Sequence, residues 1–176
     1  IRTLYQHGIG RSGLSDAETR FLVLLEGLPL AGRVGEQFTV ELLGLVPEAM
    51  QLAGGSVPDL PRKQGQMLER ALYLAAHFDH REIVPGLIDQ FIKMLRSRTD
   101  EQRFELVTIV AGQCLRSLRK LGMSDEIDRL LRRIHQELCQ GLSLSQLRNK
   151  YAAQQDLAAK LLQALLNLAG GWLSYG

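Results

Sequence analysis

The chain has 176 residues, 45% of them apolar and 23% charged, and a formal net charge of +2. These values are ordinary for a globular protein with enough apolar residues for a core, and the small net charge indicates no particular class of partner. No apolar run approaches the roughly 18 residues that a bilayer-spanning helix needs, so the sequence predicts no membrane-spanning segment.

Two helices are predicted in residues 1–60, which we expect to form an N-terminal flank with a flexible, glycine-rich start. Ser15 and Glu18 have the spacing of a capping box, in which a hydroxyl and a carboxylate satisfy free amides at the start of a helix. This helix is predicted to end at Pro29, because proline interrupts the helical hydrogen bonds. A second helix is predicted from about Glu36.

A cluster of glycine and proline from Gly54 to Pro61 predicts a boundary between this flank and a second segment, residues 61–176. Apolar periodicity in the second segment predicts four helices, at about 62–78, 80–97, 100–121 and 124–140. A long final helix is predicted from Ser143 or Ser145. Since no segment shows convincing strand alternation, the sequence predicts an all-α fold of about seven helices.

The helices of the second segment repeat. A shift of 43 residues places Ala71, Leu72, Ala75 and Phe78 on Cys114, Leu115, Leu118 and Leu121, and places Val84, Leu87, Ile88, Phe91 and Leu95 on Ile127, Leu130, Leu131, Ile134 and Leu138. A single helical hairpin cannot bury its own apolar face, so such units stack on one another. The sequence therefore predicts stacked antiparallel helical hairpins, the architecture of an α-solenoid.

A third unit begins near the end of the chain, where Leu168-Ala169, Trp172 and Gly176 resemble the first helix of a tetratricopeptide repeat. That family has a Leu-Gly pair followed by an aromatic residue three positions after the glycine. Ala169 stands at the glycine position and Trp172 at the aromatic position. The resemblance implies a right-handed stack of hairpins with a concave, peptide-binding face. It also implies a repeat segment that is truncated at its C-terminus.

The two cysteines of the chain are Cys114 and Cys139. If their hairpin turns at Gly122, Cys139 lies roughly 12 Å along its helix from the position opposite Cys114. A disulfide needs Cα atoms within about 7 Å, so we expect two free thiols, a reducing compartment and a cytoplasmic location. No signal peptide is recognisable, and because the first residue is Ile1 rather than Met, we expect the chain to be a piece of a longer protein.

No residue set in the sequence predicts catalysis, a cofactor or a metal. His77 and His80 are spaced to share a helix face, and Glu82 beside them would complete only a weak surface metal site, since a catalytic zinc usually takes three protein ligands. We favour the alternative, in which His80 caps or begins a helix and His77 lies along its neighbour. No Ser or Cys lies in a recognised nucleophile motif, and the scattered carboxylates define no acid/base pair. We therefore expect a protein that is not an enzyme.

Basic residues cluster on the two helices of the second repeat. They are Arg116, Arg119, Lys120, Arg129, Arg132 and Arg133, here called the basic strip. Arginine suits bidentate binding of carboxylate or phosphate. Tyr151 is the one nearby aromatic residue, which is too few for stacking a single-stranded nucleic acid. The strip therefore predicts an acidic protein or peptide partner, with Tyr151 as an anchor.

The predicted final helix carries two apolar rows. One contains Leu147, Tyr151, Ala158, Leu161, Leu165, Leu168 and Trp172, and the other contains Leu157, Leu162, Leu166 and Leu173. One face can pack on the preceding hairpin, but both cannot. Because burying a leucine is worth about 1.5–3 kcal/mol, an uncovered row favours association. We expect a second copy of the chain, a continuation of the chain or a partner to cover Leu157, Leu162, Leu166, Trp172 and Leu173.

The sequence thus favours a non-enzymatic scaffold or adaptor segment that binds other proteins within a larger polypeptide. An alternative is a regulatory or substrate-positioning lobe of an enzyme whose catalytic domain lies outside this chain. Nucleic-acid binding through the basic strip is the least favoured of these interpretations.

Overall fold

The computed structural model describes residues 13–52 and 55–173. Within them the chain forms eight α-helices and no strand: α1 Asp16–Val34, α2 Glu36–Ala49, α3 Leu60–His77, α4 Val84–Arg96, α5 Asp100–Lys120, α6 Ser124–Cys139, α7 Leu144–Lys150 and α8 Gln155–Leu173. A 3₁₀ turn, Arg81–Ile83, precedes α4. The predicted all-α class is confirmed. The predicted glycine-rich start, residues 1–12, lies outside the described residues.

The helices contact one another in two rows. In the first row α3 contacts both α1 and α5, and α5 also contacts α8. In the second row α4 contacts both α2 and α6. The pairs α1–α2, α3–α4 and α5–α6 join the rows as hairpins, so each hairpin contacts the next through both of its helices. A superhelical, solenoid-like arrangement remains a prediction from the repeat.

One hydrophobic core runs through these hairpins. Its buried side chains extend from Phe21 in α1 to Leu168 in α8 and form a single cluster. The boundary predicted near residue 60 therefore falls between two hairpins that share this core. None of the helices in the described ranges combines the length and apolarity that crossing a bilayer requires.

The first helix does not end at Pro29, as the sequence predicted, but continues to Val34. Proline has no amide hydrogen, so the carbonyl four residues earlier, that of Leu25, loses its helical partner. Arg70 of α3 replaces it, since its Nη1 donates to the Leu25 carbonyl oxygen at 2.5 Å. Leu28 and Ala31 are fully buried on either side of Pro29, and this packing favours an uninterrupted helix.

The predicted long final helix is two helices, because Tyr151 ends α7 and is fixed to the start of α5. The Tyr151 hydroxyl donates to Asp100 Oδ2 at 2.6 Å, and its ring meets the ring of Phe104 edge-on at 5.9 Å between centroids. Lys150 Nζ donates to the same carboxylate oxygen at 3.1 Å. These contacts hold the end of α7 against α5 while α8 starts again at Gln155.

Asp100 is the centre of this junction. Its Oδ1 accepts from Arg103 Nη1 and from Gln140 Nε2, both at 3.1 Å. Partial burial opposes ionisation of Asp100, but hydrogen bonds from Tyr151 and Lys150 and the charges of Lys150 and Arg103 outweigh it and lower the pKa of this carboxyl. The carboxylate also lies in the first turn of α5, where the helix dipole favours a negative charge.

Helices α3 and α5 pack closely against each other at Gly65. A Cβ atom at this position would lie 2.8 Å from Val110 Cγ2 and 3.2 Å from Leu106 Cδ2. Both α5 side chains are fully buried, so neither can move aside freely. The absence of a side chain at Gly65 therefore sets the distance between the two helices.

Replacing Gly65 with alanine tests this contact. We expect Gly65→Ala to lower the free energy of unfolding by about 1–3 kcal/mol through overpacking, although alanine is the better helix former by about 1 kcal/mol. Gly112→Ala is the matched control, because a Cβ at that helical position meets nothing within 4 Å. Urea unfolding should find the control as stable as wild type or more stable. A stabilised Gly65→Ala protein would contradict the packing described.

The Asp100 junction predicts a pH dependence. A carboxyl whose folded pKa is lowered stabilises the fold above its unfolded pKa, and this contribution is lost as pH falls through the folded pKa. Asp100→Asn should therefore cost about 1.5–3 kcal/mol at pH 7, and the difference from wild type should shrink below about pH 4. Urea unfolding at pH 7 and pH 3 measures this, with the exposed Asp128→Asn as control. An equal difference at both pH values would count against the junction.

Candidate functional site

The structure divides the basic strip between the two helix rows. Lys120, at the end of α5, places its Nζ 5.9 Å from the centre of the Tyr73 ring on α3. Arg133 of α6 instead donates from Nη1 to Asp89 Oδ1 of α4 at 2.5 Å. The α5 half of the strip therefore borders α3 in the first row, and the α6 half borders α4 in the second.

Acidic side chains accompany the α6 half. Arg133 is half-buried and paired with Asp89, while Arg129 and Arg132 are exposed. Asp125 and Asp128 precede these two arginines by four residues on the same helix. An acidic residue four positions before a basic one lies on the same helix face in the favourable orientation. Much of the charge on this half is therefore balanced locally.

The α5 half belongs to a surface that we call the α3–α5 patch, formed by Tyr73, His77, Arg116 and Lys120. Tyr73 is 58% exposed, an unusual environment for a large aromatic side chain. Its ring stacks on that of His77, one turn later on α3, with centroids 6.3 Å apart and planes 12° apart. His77 in turn meets Phe78 edge-on at 4.7 Å.

This row of rings anchors Tyr73. Phe78 is half-buried and packs against the hydrophobic core, so the exposed ring is supported through His77 from the interior. One face of the Tyr73 ring is offered to the Lys120 ammonium at a separation typical of a cation–π contact. A supported, exposed aromatic ring beside a cation can receive an apolar side chain and a carboxylate together.

Arg116 supplies the second cation of the patch. It lies one turn before Lys120 on α5, hence on the same face, and it is exposed. It makes no ion pair with any residue in the described ranges, so its guanidinium is available to a ligand. Arg119 is also exposed on the last turn of this helix. Half-buried Glu69, one turn before Tyr73, is the acidic neighbour on α3.

Tyr151, predicted as an anchor of the basic strip, is not available for this role. It is 3% exposed, and its hydroxyl and ring are both engaged, by Asp100 and Phe104. The exposed aromatic residue beside the basic side chains is Tyr73, which was not predicted from the sequence. The helical periodicity could have identified it. Leu72 and Leu74 are buried, whereas Tyr73 between them falls on the outer face of the helix.

The two histidines of the His77-x-x-His80 motif contact different elements. His77 stacks on Tyr73, whereas His80 Nδ1 lies 3.1 Å from Glu82 Oε1 and its Nε2 lies 3.6 Å from Glu36 Oε1 of α2. Among the described residues, no group of three or more His, Cys, Asp or Glu side chains is placed to hold a metal ion.

Both cysteines are free and buried, Cys114 in α5 and Cys139 in α6. Burial raises the pKa of each thiol, with a smaller contribution from Glu69 at Cys114. A thiol with a raised pKa is a poor nucleophile, so these residues contribute packing at neutral pH.

Helix α8 buries one apolar face and exposes part of the other. Leu161, Ala164 and Leu168 are buried, and α8 contacts α5 and α6. Leu162 and Leu166, one turn apart, are 58% and 57% exposed, while Leu157 is half-buried against the core. The side chains of Trp172 and Leu173 lie outside the described part of the structure. Covering of this face by another molecule stays a prediction.

The chain belongs to a family described as "Domain of unknown function (DUF8586)", which matches residues 8–176. No curated protein and no solved structure matches the chain. The resemblance to tetratricopeptide repeats accordingly remains a prediction from the residues that carry it.

The exposed leucines of α8 predict self-association. We expect light scattering over a dilution series to find wild-type mass rising with concentration, and Leu162→Glu with Leu166→Glu to return the protein to a monomer, because the charges oppose burial of this face. Leu144→Glu on α7, a residue that is 77% exposed, is the matched control and should leave the association unchanged. A wild-type monomer at every concentration would overturn the prediction.

Proposed function

We propose that this member of the DUF8586 family is a non-enzymatic binding module that holds an acidic segment of another protein on the α3–α5 patch. The observation that carries the proposal is the 58% exposed Tyr73, supported by His77 and flanked by Lys120. Tyrosine and arginine are over-represented among the residues that dominate protein interfaces, because they combine apolar area with directional polar groups.

The expected ligand follows from the chemistry of the patch. An apolar or aromatic side chain of the ligand would pack on the Tyr73 ring, and nearby carboxylates would pair with Lys120 and Arg116. Arg116 can bind a carboxylate through two parallel hydrogen bonds. Since the patch is exposed, each single ion pair is weak and screened by salt, so the preference for acidic segments would come from both cations acting together beside the aromatic contact.

The helix rows support the same proposal. Tyr73 and Lys120 come from neighbouring helices of the first row, and an extended or helical segment could follow that row across successive hairpins. Peptide binding along one row is also what the resemblance to tetratricopeptide repeats implies. Two free, buried thiols are compatible with a reducing, cytoplasmic setting, which we include in the proposal.

Binding to an array of twelve-residue peptides, graded from acidic to basic and carrying one aromatic or leucine each, tests the proposal. The wild-type chain should prefer the acidic peptides. Arg116→Glu with Lys120→Glu should weaken the best peptide at least tenfold, and Tyr73→Ala should weaken it several-fold while Tyr73→Phe retains most binding.

Arg129→Glu with Arg132→Glu is the matched control, since it reverses two exposed arginines of the α6 half of the basic strip. This variant should bind the selected peptides as wild type does. Loss of binding in the α6 variant with retention in the α5 variant would refute the α3–α5 patch, and so would the absence of a preference for acidic peptides.

A further inference from the structure

An open groove of about 1210 Å³ runs along the α1–α2 hairpin, separate from the α3–α5 patch. Leu30, Val34 and Leu45 line it and are 55%, 65% and 53% exposed. Leu22 and Phe38 also line it, are half-buried and pack against the core. Three large exposed apolar side chains in one depression mark an interaction surface, whereas scattered ones are normal.

The groove lies where the two helix rows begin. Helix α3 packs against α1, and α4 packs against α2, so each has a helix of the preceding hairpin beside it. Among the described residues, α1 and α2 contact only each other and helices that follow them in the chain. Helices α1 and α2 therefore have a face without a helix packed on it, whereas the corresponding faces of α3 and α4 pack against helices of the preceding hairpin.

The groove runs along two neighbouring helices and has a largely apolar lining, so a short helix laid along it is a suitable occupant. Such a helix would bury one apolar ridge, with residues at positions i, i+3, i+4 and i+7 as its anchors.

The charges around the groove determine which side chains should flank the apolar ridge of the bound helix. Asp16, Glu26 and Glu48 lie among its lining residues and are exposed. Arg20 is the basic side chain among the described lining residues, and its Nη1 lies 3.9 Å from Glu48 Oε1. The lining therefore has an excess of negative charge around an apolar floor.

We propose that the α1–α2 groove binds an amphipathic helix of another protein that carries an apolar ridge flanked by lysine or arginine. The ridge packs on Leu30, Val34 and Leu45, and the basic flanks meet Glu26 and Asp16. The partner differs in charge from the ligand of the α3–α5 patch, so one chain can hold an acidic segment and a basic helix at two places.

A second copy of the chain is a poorer occupant. Helix α8 offers the ridge Leu162 and Leu166, but its single lysine, Lys160, already pairs with Glu101. Its other exposed polar residues are Gln155, Gln163 and the acidic Asp156. An α8 helix would therefore bring no free cation to the acidic rim.

The test uses a displayed library of fourteen-residue helices whose ridge is varied among Leu, Ile, Met and Phe and whose flanks are varied among Lys, Gln and Glu. Selection on the wild-type chain should enrich lysine flanks, and fluorescence anisotropy should find that replacing them with glutamate weakens binding at least tenfold. Leu30→Glu with Leu45→Glu should reduce the affinity of the selected helix at least tenfold, and because both side chains are more than half exposed, we expect the variant to stay folded.

Three further proteins complete the test. Leu162→Glu with Leu166→Glu makes the same change at leucines of equal exposure on α8 and should bind the selected helix normally, as should Tyr73→Ala. Glu26→Lys with Glu48→Lys keeps every leucine and should still lose the preference for lysine flanks. Enrichment of glutamate flanks, no charge preference, or binding that survives both groove variants would overturn the proposal. The proposal would also be overturned if Leu30→Glu with Leu45→Glu and Leu162→Glu with Leu166→Glu abolished self-association equally. That result would mean that a second copy of the chain occupies the groove.

Discussion

The close approach of α3 and α5 is the contact on which the rest of the molecule depends. At Gly65 the two helices leave no room for a Cβ atom against Val110, and α5 continues from there to contact α8 and α6. The same approach sets the separation of Tyr73 and Lys120 at the far ends of the two helices. A core contact between hairpins thereby determines the geometry of a surface patch.

Local sequence signals predicted the elements that depend on local interactions. Ser15 and Glu18 form the expected capping box, with the Glu18 amide donating to Ser15 Oγ at 3.3 Å and the Ser15 amide donating to Glu18 Oε2 at 2.7 Å. Gly122 has a φ of 68° after α5, a left-handed conformation that favours glycine and ends the helix. The two errors have long-range causes. Helix α1 continues past Pro29 because Arg70 donates a hydrogen bond to the carbonyl that the proline leaves without a partner. Helix α7 ends at Tyr151 because the tyrosine hydroxyl is bound to Asp100.

The candidate site was only half predictable for the same reason. Arg116 and Lys120 are predicted as partner-binding residues because basic residues cluster on their helix, but a list of basic residues cannot say which row each helix joins. In the structure Arg133 is on the other row, where it is paired with Asp89. Tyr73, from the preceding hairpin, lies beside Lys120. The α3–α5 patch carries basic side chains and the α1–α2 groove carries an excess of acidic ones, so the two proposed sites would favour partners of different charge.

The most direct measurement of the central claim, that α3 and α5 jointly form a peptide site, is an amide NMR titration. The ¹⁵N-labelled chain would be titrated with the best-binding acidic peptide from the array. If α3 and α5 form the site, chemical-shift changes should be concentrated at residues 69–77 of α3 and 113–120 of α5, with α6 and the α1–α2 groove unchanged. Changes concentrated around Arg129 and Arg132 of α6, with none in α3, would contradict it.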